Sequence, residues 1–268
     1  MSQRADVEPR AQRTVAHRAA AFVLLFVLYQ SAEGVGADLF HSFAISAGLM
    51  LATLIAAWPV GRWLGWRGYD AYALEPRNTT IVLLLAGLIA AGLAKLAAVH
   101  VGLAIGVYRP AAAEPVAATA ILAGLLGGAI STFVPSVAED ILTRGFWLRA
   151  AAVRWTGAVF VLATSAIYVL NHIYRLADGP VEWLRLFCFG LAYAAAAWRW
   201  RTLWAAVGLH WGWNFANVWI EYVAPVDAAR QNEAVLLSAG VHLVLAAAVF
   251  LAPRPERRAE NNTARSPD

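Results

Sequence analysis

The chain is broken into apolar stretches too long and too numerous for a water-soluble fold to bury. They run over residues 19–36, 39–61, 79–106, 116–143, 157–176, 183–198, 202–223 and 234–252, the sixth being the shortest. A bilayer core of about 30 Å needs about 20 apolar residues per helix, so eight windows qualify once tilt is allowed. Lipid offers no partners for backbone N–H and C=O groups, which leaves helices as the way for such stretches to cross. The composition agrees. Hydrophobic residues make up 60% of the 268 and charged ones only 14%, against about one quarter charged in soluble domains. Twelve Trp and eight Tyr suit the interfacial belts. The expected fold is all-α, a polytopic membrane protein of about eight transmembrane helices with a polar cluster inside the bundle.

Arginine sets the expected topology. With the N-terminus cytoplasmic, sixteen arginines fall on inner segments and only Arg109, Arg175, Arg185 and Arg230 on outer ones, where Glu33, Asp38, Glu114, Asp178, Glu182, Glu221, Asp227 and Glu233 also lie. That bias puts both termini inside. Residues 1–18 read as a cytoplasmic tail with no cleavage signal, 19–252 as the membrane-embedded domain, and 253–268 as a disordered cytoplasmic tail. The arginines are scattered over short loops, which argues against nucleic acid as a partner. The lone Cys188 gives neither a disulfide framework nor a metal pattern. One lysine, Lys95, against twenty arginines in an Ala-rich chain points to a G+C-rich bacterial genome, hence an inner (plasma) membrane protein. Membrane lipid is the surrounding partner; oligomeric state is left open.

Ionisable groups inside a membrane are costly and are functional candidates by default. In "SVAEDILTRGFWLRA", Asp140 and Arg144 are four residues apart and can pair along one helix face. Glu139 points about 100° away from Asp140 and is left free. In "SAIYVLNHIYRL", Tyr168 and His172 lie one turn apart with Asn171 beside them; in "VGLHWGWNFANVW", His210 and Asn214 share a face with Asn217 a further turn along. Taken singly, each set has a plain account. The first would be a juxtamembrane charge cluster, the second an interfacial histidine, and the third an amide and imidazole bonding a neighbouring helix. Lys95, near His100 and Arg109, is expected to snorkel outward.

Their spacing joins them. Midway between Glu139 and His172 lies the polar turn "RWTG", Arg154–Gly157, so an antiparallel hairpin centred there holds the two residues level, roughly 24 Å from its tip. His210 stands roughly 14 Å above its own turn, and the sites coincide if the hairpin projects about 10 Å. A carboxylate and a neutral imidazole can hold a water and remove its proton. A second imidazole and an amide can donate to a developing oxyanion. That set suits attack of water on an amide. A Zn²⁺ held by Glu139, His172 and His210 is the competing arrangement.

At these residues the sequence resembles the CPBP family, the CAAX prenyl protease and bacteriocin-processing (Abi) intramembrane peptidases. The family's EExxxR is similar to "EDILTR" (Glu139, Asp140, Arg144), its FxxxH to "YVLNH" (Tyr168–His172) and its HxxxN to "HWGWN" (His210–Asn214). The resemblance implies a protease domain over 19–252 with its motif-bearing core at about 116–223. It implies Glu139 as general base, His172 as its partner on the water, and His210 with Asn214 as the oxyanion site. Arg144 would orient the cluster. Asp140 departs from the second Glu and is expected to pair with Arg144; Tyr168 replaces Phe and keeps a ring.

The reading is therefore a glutamate-dependent intramembrane endopeptidase that cuts a membrane-associated protein or peptide with activated water and without a cofactor, zinc being the disfavoured alternative. A non-catalytic immunity or scaffold protein of the same family is the second reading. A small ion or solute transporter is the third, weakened because no internal repeat is visible in the sequence. The arginine bias makes one prediction. Reporter fusions after Arg18, Arg201 and Arg258 should report the cytoplasm and a fusion after Arg109 the opposite side; a cytoplasmic signal after Arg109 breaks the scheme.

Overall fold

The computed structural model describes residues 13–112 and 116–252. The expected C-terminal tail, and residues 1–12 of the expected N-terminal one, lie outside these residues. One α-helix occupies each expected window: α1 Val15–Ser31, α2 Phe43–Trp63, α3 Thr80–Ala104, α4 Ala118–Asp140, α5 Gly157–Asn171, α6 Pro180–Trp200, α7 Trp204–Val223 and α8 Gln231–Leu251. The protein is an all-α polytopic membrane protein. α1 begins inside the expected tail because the Thr14 hydroxyl accepts from the His17 amide and caps its first turn. Both α1 and α4 run on without a break into π-helical backbone, over Ala32–Leu39 and Ile141–Ala150. β1 (Tyr108–Pro110) and β2 (Val226–Ala228) form an antiparallel pair with Arg109 opposite Asp227.

Among the described residues five helical segments are each long and apolar enough to span a membrane: Val15–Leu39, Phe43–Trp63, Thr80–Ala104, Ala118–Ala150 and Gln231–Leu251. α5 is apolar but short. α6 and α7 fall below that hydropathy for a different reason. α6 is not the short segment its window suggests but a 21-residue helix at the centre of the bundle. Ala192, Tyr193, Ala194, Ala195, Ala196 and Ala197 have no exposure at all. Against α5 on one side and α8 on the other, it meets little lipid and need not be greasy throughout.

α7 is held to α3 by backbone contact. Its Gly208 and Gly212, one turn apart, lie against the Leu84 and Leu88 carbonyls, where a Cβ would come within 2.4 and 2.3 Å, and Gly87 of α3 abuts Gly208 and Leu209 in return. Small residues spaced by four let membrane helices approach this closely, and here they fix the height of His210, which sits between the two glycines. At one end of the bundle Arg149 binds Glu75 through both carboxylate oxygens, at 2.7 and 2.6 Å, and the Asp70 carbonyl at 3.0 Å. Burial alone would raise the Glu75 carboxyl, but hydrogen bonds from Arg149 and Arg77 outweigh it and hold the group below the usual range. This ion pair moors the end of the π-helical segment that carries Arg144.

Filling the α3–α7 crossing should loosen the bundle. Gly208→Val is expected to cost about 1–3 kcal/mol of stability, the usual range for overpacking, read as a lower melting temperature in detergent. Gly48→Ala, at a position with nothing within 4 Å, should melt like the wild type.

Candidate active site

The site begins where α4 passes into π-helical backbone. Residues 136–146 are all buried, Asp140 and Arg144 completely. This corrects the plain account of the stretch as juxtamembrane charges: the cluster is core. Arg144 forms an ion pair with Asp140, and its Nη1 donates to the Thr143 hydroxyl at 2.9 Å. Its guanidinium also lies over two aromatic rings, 4.5 Å from the Tyr168 centroid and 5.0 Å from that of Tyr193. Desolvated cation–π contacts of this kind contribute up to about 2 kcal/mol. They lie where Arg144 Nε and Nη2 find no hydrogen-bond partner among the described residues.

Glu139 faces elsewhere and meets two imidazoles. Its Oε1 is 3.4 Å from His172 Nε2 and its Oε2 is 3.5 Å from His210 Nε2. Asn171 Nδ2 points at Oε1 from 3.4 Å, and Gln30 of α1 holds Asn171 by donating to its backbone carbonyl at 2.6 Å. Tyr29 of α1 also lies close to the carboxylate. The level placement of Glu139 and His172 expected from the hairpin is thus met in the structure.

His172 caps the end of α5 rather than continuing it, with φ −89° and ψ 55°. Its Nδ1 lies 2.8 Å from the Tyr168 carbonyl. A carbonyl only accepts, so Nδ1 carries the hydrogen, and in the neutral ring Nε2 presents a lone pair towards Glu139. Two acceptors side by side are what the two protons of a water satisfy. His210, 3% exposed, lies between both acids, with Nδ1 3.4 Å from Asp140 Oδ1. Asp140 therefore faces two groups, the guanidinium and this ring. Asn214, one turn further along α7, donates to Ser136 Oγ at 3.3 Å, while Asn217 is exposed.

Lys95 departs from expectation. It turns inward, its ammonium 4.8 Å from the Trp213 ring on the neighbouring α7. Sequence reasoning also missed Gln30, Tyr193 and His242. Gln30 and His242 were visible as polar residues in apolar helices, but nothing in the spacing tied either to the cluster. Among the described residues no group of three or more His, Cys, Asp or Glu is arranged to hold a metal ion.

Residues 121–216 match the family model of the Rce1-like type II CAAX prenyl endopeptidases. The match bears out the resemblance read from the three motifs and spans every motif residue from Glu139 to Asn214. α1, α2, α3 and α8 lie outside the Rce1-like segment. No curated protein matches the chain.

The buried ion pair makes the clearest prediction at this site. Asp140→Ala strands Arg144 in a fully desolvated position and should cost about 3 kcal/mol or more, seen as poor expression and a lowered melting temperature. Asp140→Glu keeps the charge and should recover most of the loss. Normal expression and melting for Asp140→Ala would remove the structural role given to the pair.

Proposed function

We propose that the protein is an intramembrane endopeptidase in which Glu139 activates water. The observation that carries this reading is the placement of its carboxylate. It is buried, its neighbouring guanidinium is taken by Asp140, and its own two oxygens face imidazoles brought by two other segments. A carboxylate clamped by arginine is a poor base, whereas one beside an acceptor imidazole can take a proton from a shared water. The family match supports hydrolysis of a peptide bond as the class of reaction.

In this mechanism Glu139 and His172 Nε2 hold the water by its two hydrogens. Its oxygen adds to the peptide carbonyl carbon as one proton passes to Glu139. The negative charge that gathers on the carbonyl oxygen is met by His210 and by the Asn214 amide. His210 faces Asp140 through Nδ1, and its Nε2, the nitrogen that faces Glu139, is the one that donates to the oxyanion once Glu139 has taken the water's proton. Glu139 then returns the proton to the leaving nitrogen as the C–N bond breaks. Arg144 and Asp140 touch no reacting atom; they hold the end of α4 so that Glu139 and His210 face one another. The substrate is a membrane-associated protein or peptide, and no resident cofactor takes part.

Purified protein in detergent should cleave members of a peptide library, and Glu139→Gln should abolish cleavage while melting like the wild type. A chelator should leave the rate unchanged; a loss restored by added zinc would return the metal arrangement of Glu139, His172 and His210. Near-wild-type cleavage by Glu139→Gln would end this mechanism, and absence of cleavage by the wild type would favour the immunity or scaffold reading.

A further inference from the structure

Against the face of the His210 ring lies a buried polar pair that the mechanism does not use. Tyr193 of α6 and His242 of α8 both have no exposure. His242 Nδ1 lies 2.9 Å from the Ser238 carbonyl, and since a carbonyl only accepts, Nδ1 is the donor. In the neutral ring that leaves Nε2 as an acceptor, and the Tyr193 hydroxyl lies 3.1 Å from it. The tyrosine therefore donates its proton to α8. Its ring, held by that bond, stacks on His210 with centroids 4.9 Å apart and planes 19° from parallel. Phe189 on α6 and Trp213 on α7 close round His242, at 3.5 and 4.3 Å between centroids.

A buried phenol needs an acceptor, and within helices the backbone carbonyls are already engaged. Packing alone would be served by phenylalanine at position 193 and leucine at 242. What the pair adds is a fixed plane. The carboxylates of Asp140 and Glu139 contact the edge of the His210 ring at its two nitrogens, which sets its rotation but leaves it free to tilt. A ring pressed flat against it and pinned by its hydroxyl to a third helix removes that freedom.

We propose that Tyr193 and His242 are positioning residues: His242 anchors the Tyr193 hydroxyl, and the anchored ring holds His210 in the plane from which it meets the reacting carbonyl. The proposal rests on the protease reading for its purpose but not for its geometry. It gives α8, which lies outside the Rce1-like segment, a part in the site.

The test uses the full chain in detergent with ¹³C-labelled histidine, the His210 signal being assigned by its loss in His210→Gln. Ring stacking should displace the His210 Cε1 proton upfield. His242→Leu should shift and broaden that signal, whereas His242→Gln, whose amide oxygen can accept from Tyr193, should restore it. Tyr193→Phe should likewise broaden it although the ring remains. On a peptide from the library that the wild type cleaves, His242→Leu should lower kcat about tenfold or more with KM little changed, and His242→Gln should recover most of that loss. An unchanged His210 signal in His242→Leu overturns the proposal even if the wild type cleaves peptides. The expected signal changes in a protein that cleaves nothing uphold the positioning and count against the protease reading instead.

Discussion

A guanidinium inside a membrane bundle has to be neutralised where it stands, because water is out of reach and a charge at mid-membrane costs about 3 kcal/mol even by insertion scales. Arg144, with no exposed surface, meets that demand through one carboxylate and two aromatic faces, and each comes from a different place. Asp140 closes α4, Tyr168 lies on α5 and Tyr193 on α6. The cation thus draws three consecutive helices to one point. Because Asp140 meets its charge, Glu139 one residue earlier is not drawn into the pair and turns to the imidazoles.

The rest of the architecture keeps that point fixed. The glycine contacts between α3 and α7 set the height of His210, and Arg149 with Glu75 moors the far end of the π-helical segment. From the other side, α1 reaches in with Gln30 to hold Asn171, whose amide faces Glu139. The π-helical backbone over Ile141–Ala150 follows directly on Asp140 and carries Arg144. Such segments are rare and concentrate at functional sites.

Much of this was legible in the sequence because the membrane constrains it so strongly. Length and hydropathy place the eight helices to within a few residues, and the spacing about "RWTG" sets Glu139 level with His172. The Asp140–Arg144 pair follows from a spacing of four. What escaped depends on which helix neighbours which, and periodicity carries no such information. α6 seemed the weakest span because burial, not lipid, surrounds it. Lys95 was assigned to the interface because the Trp213 face on the adjoining helix could not be foreseen. Gln30, Tyr193 and His242 reach the site only through contacts between distant segments, so no local motif announces them. The roles of Glu139, His172, His210 and Asn214 are proposals from chemistry and resemblance.

The central claim is that Arg144 belongs to Asp140 and not to Glu139. A pair of double-mutant cycles on thermal stability tests it directly, combining Arg144→Gln with Asp140→Asn in one and with Glu139→Gln in the other. The account predicts a coupling energy of about 2 kcal/mol or more between Asp140 and Arg144, the range for buried charge pairs in contact, and a value near zero between Glu139 and Arg144. A coupling to Glu139 as large as that to Asp140 would contradict it, since the carboxylate proposed as the base would then be held by the guanidinium.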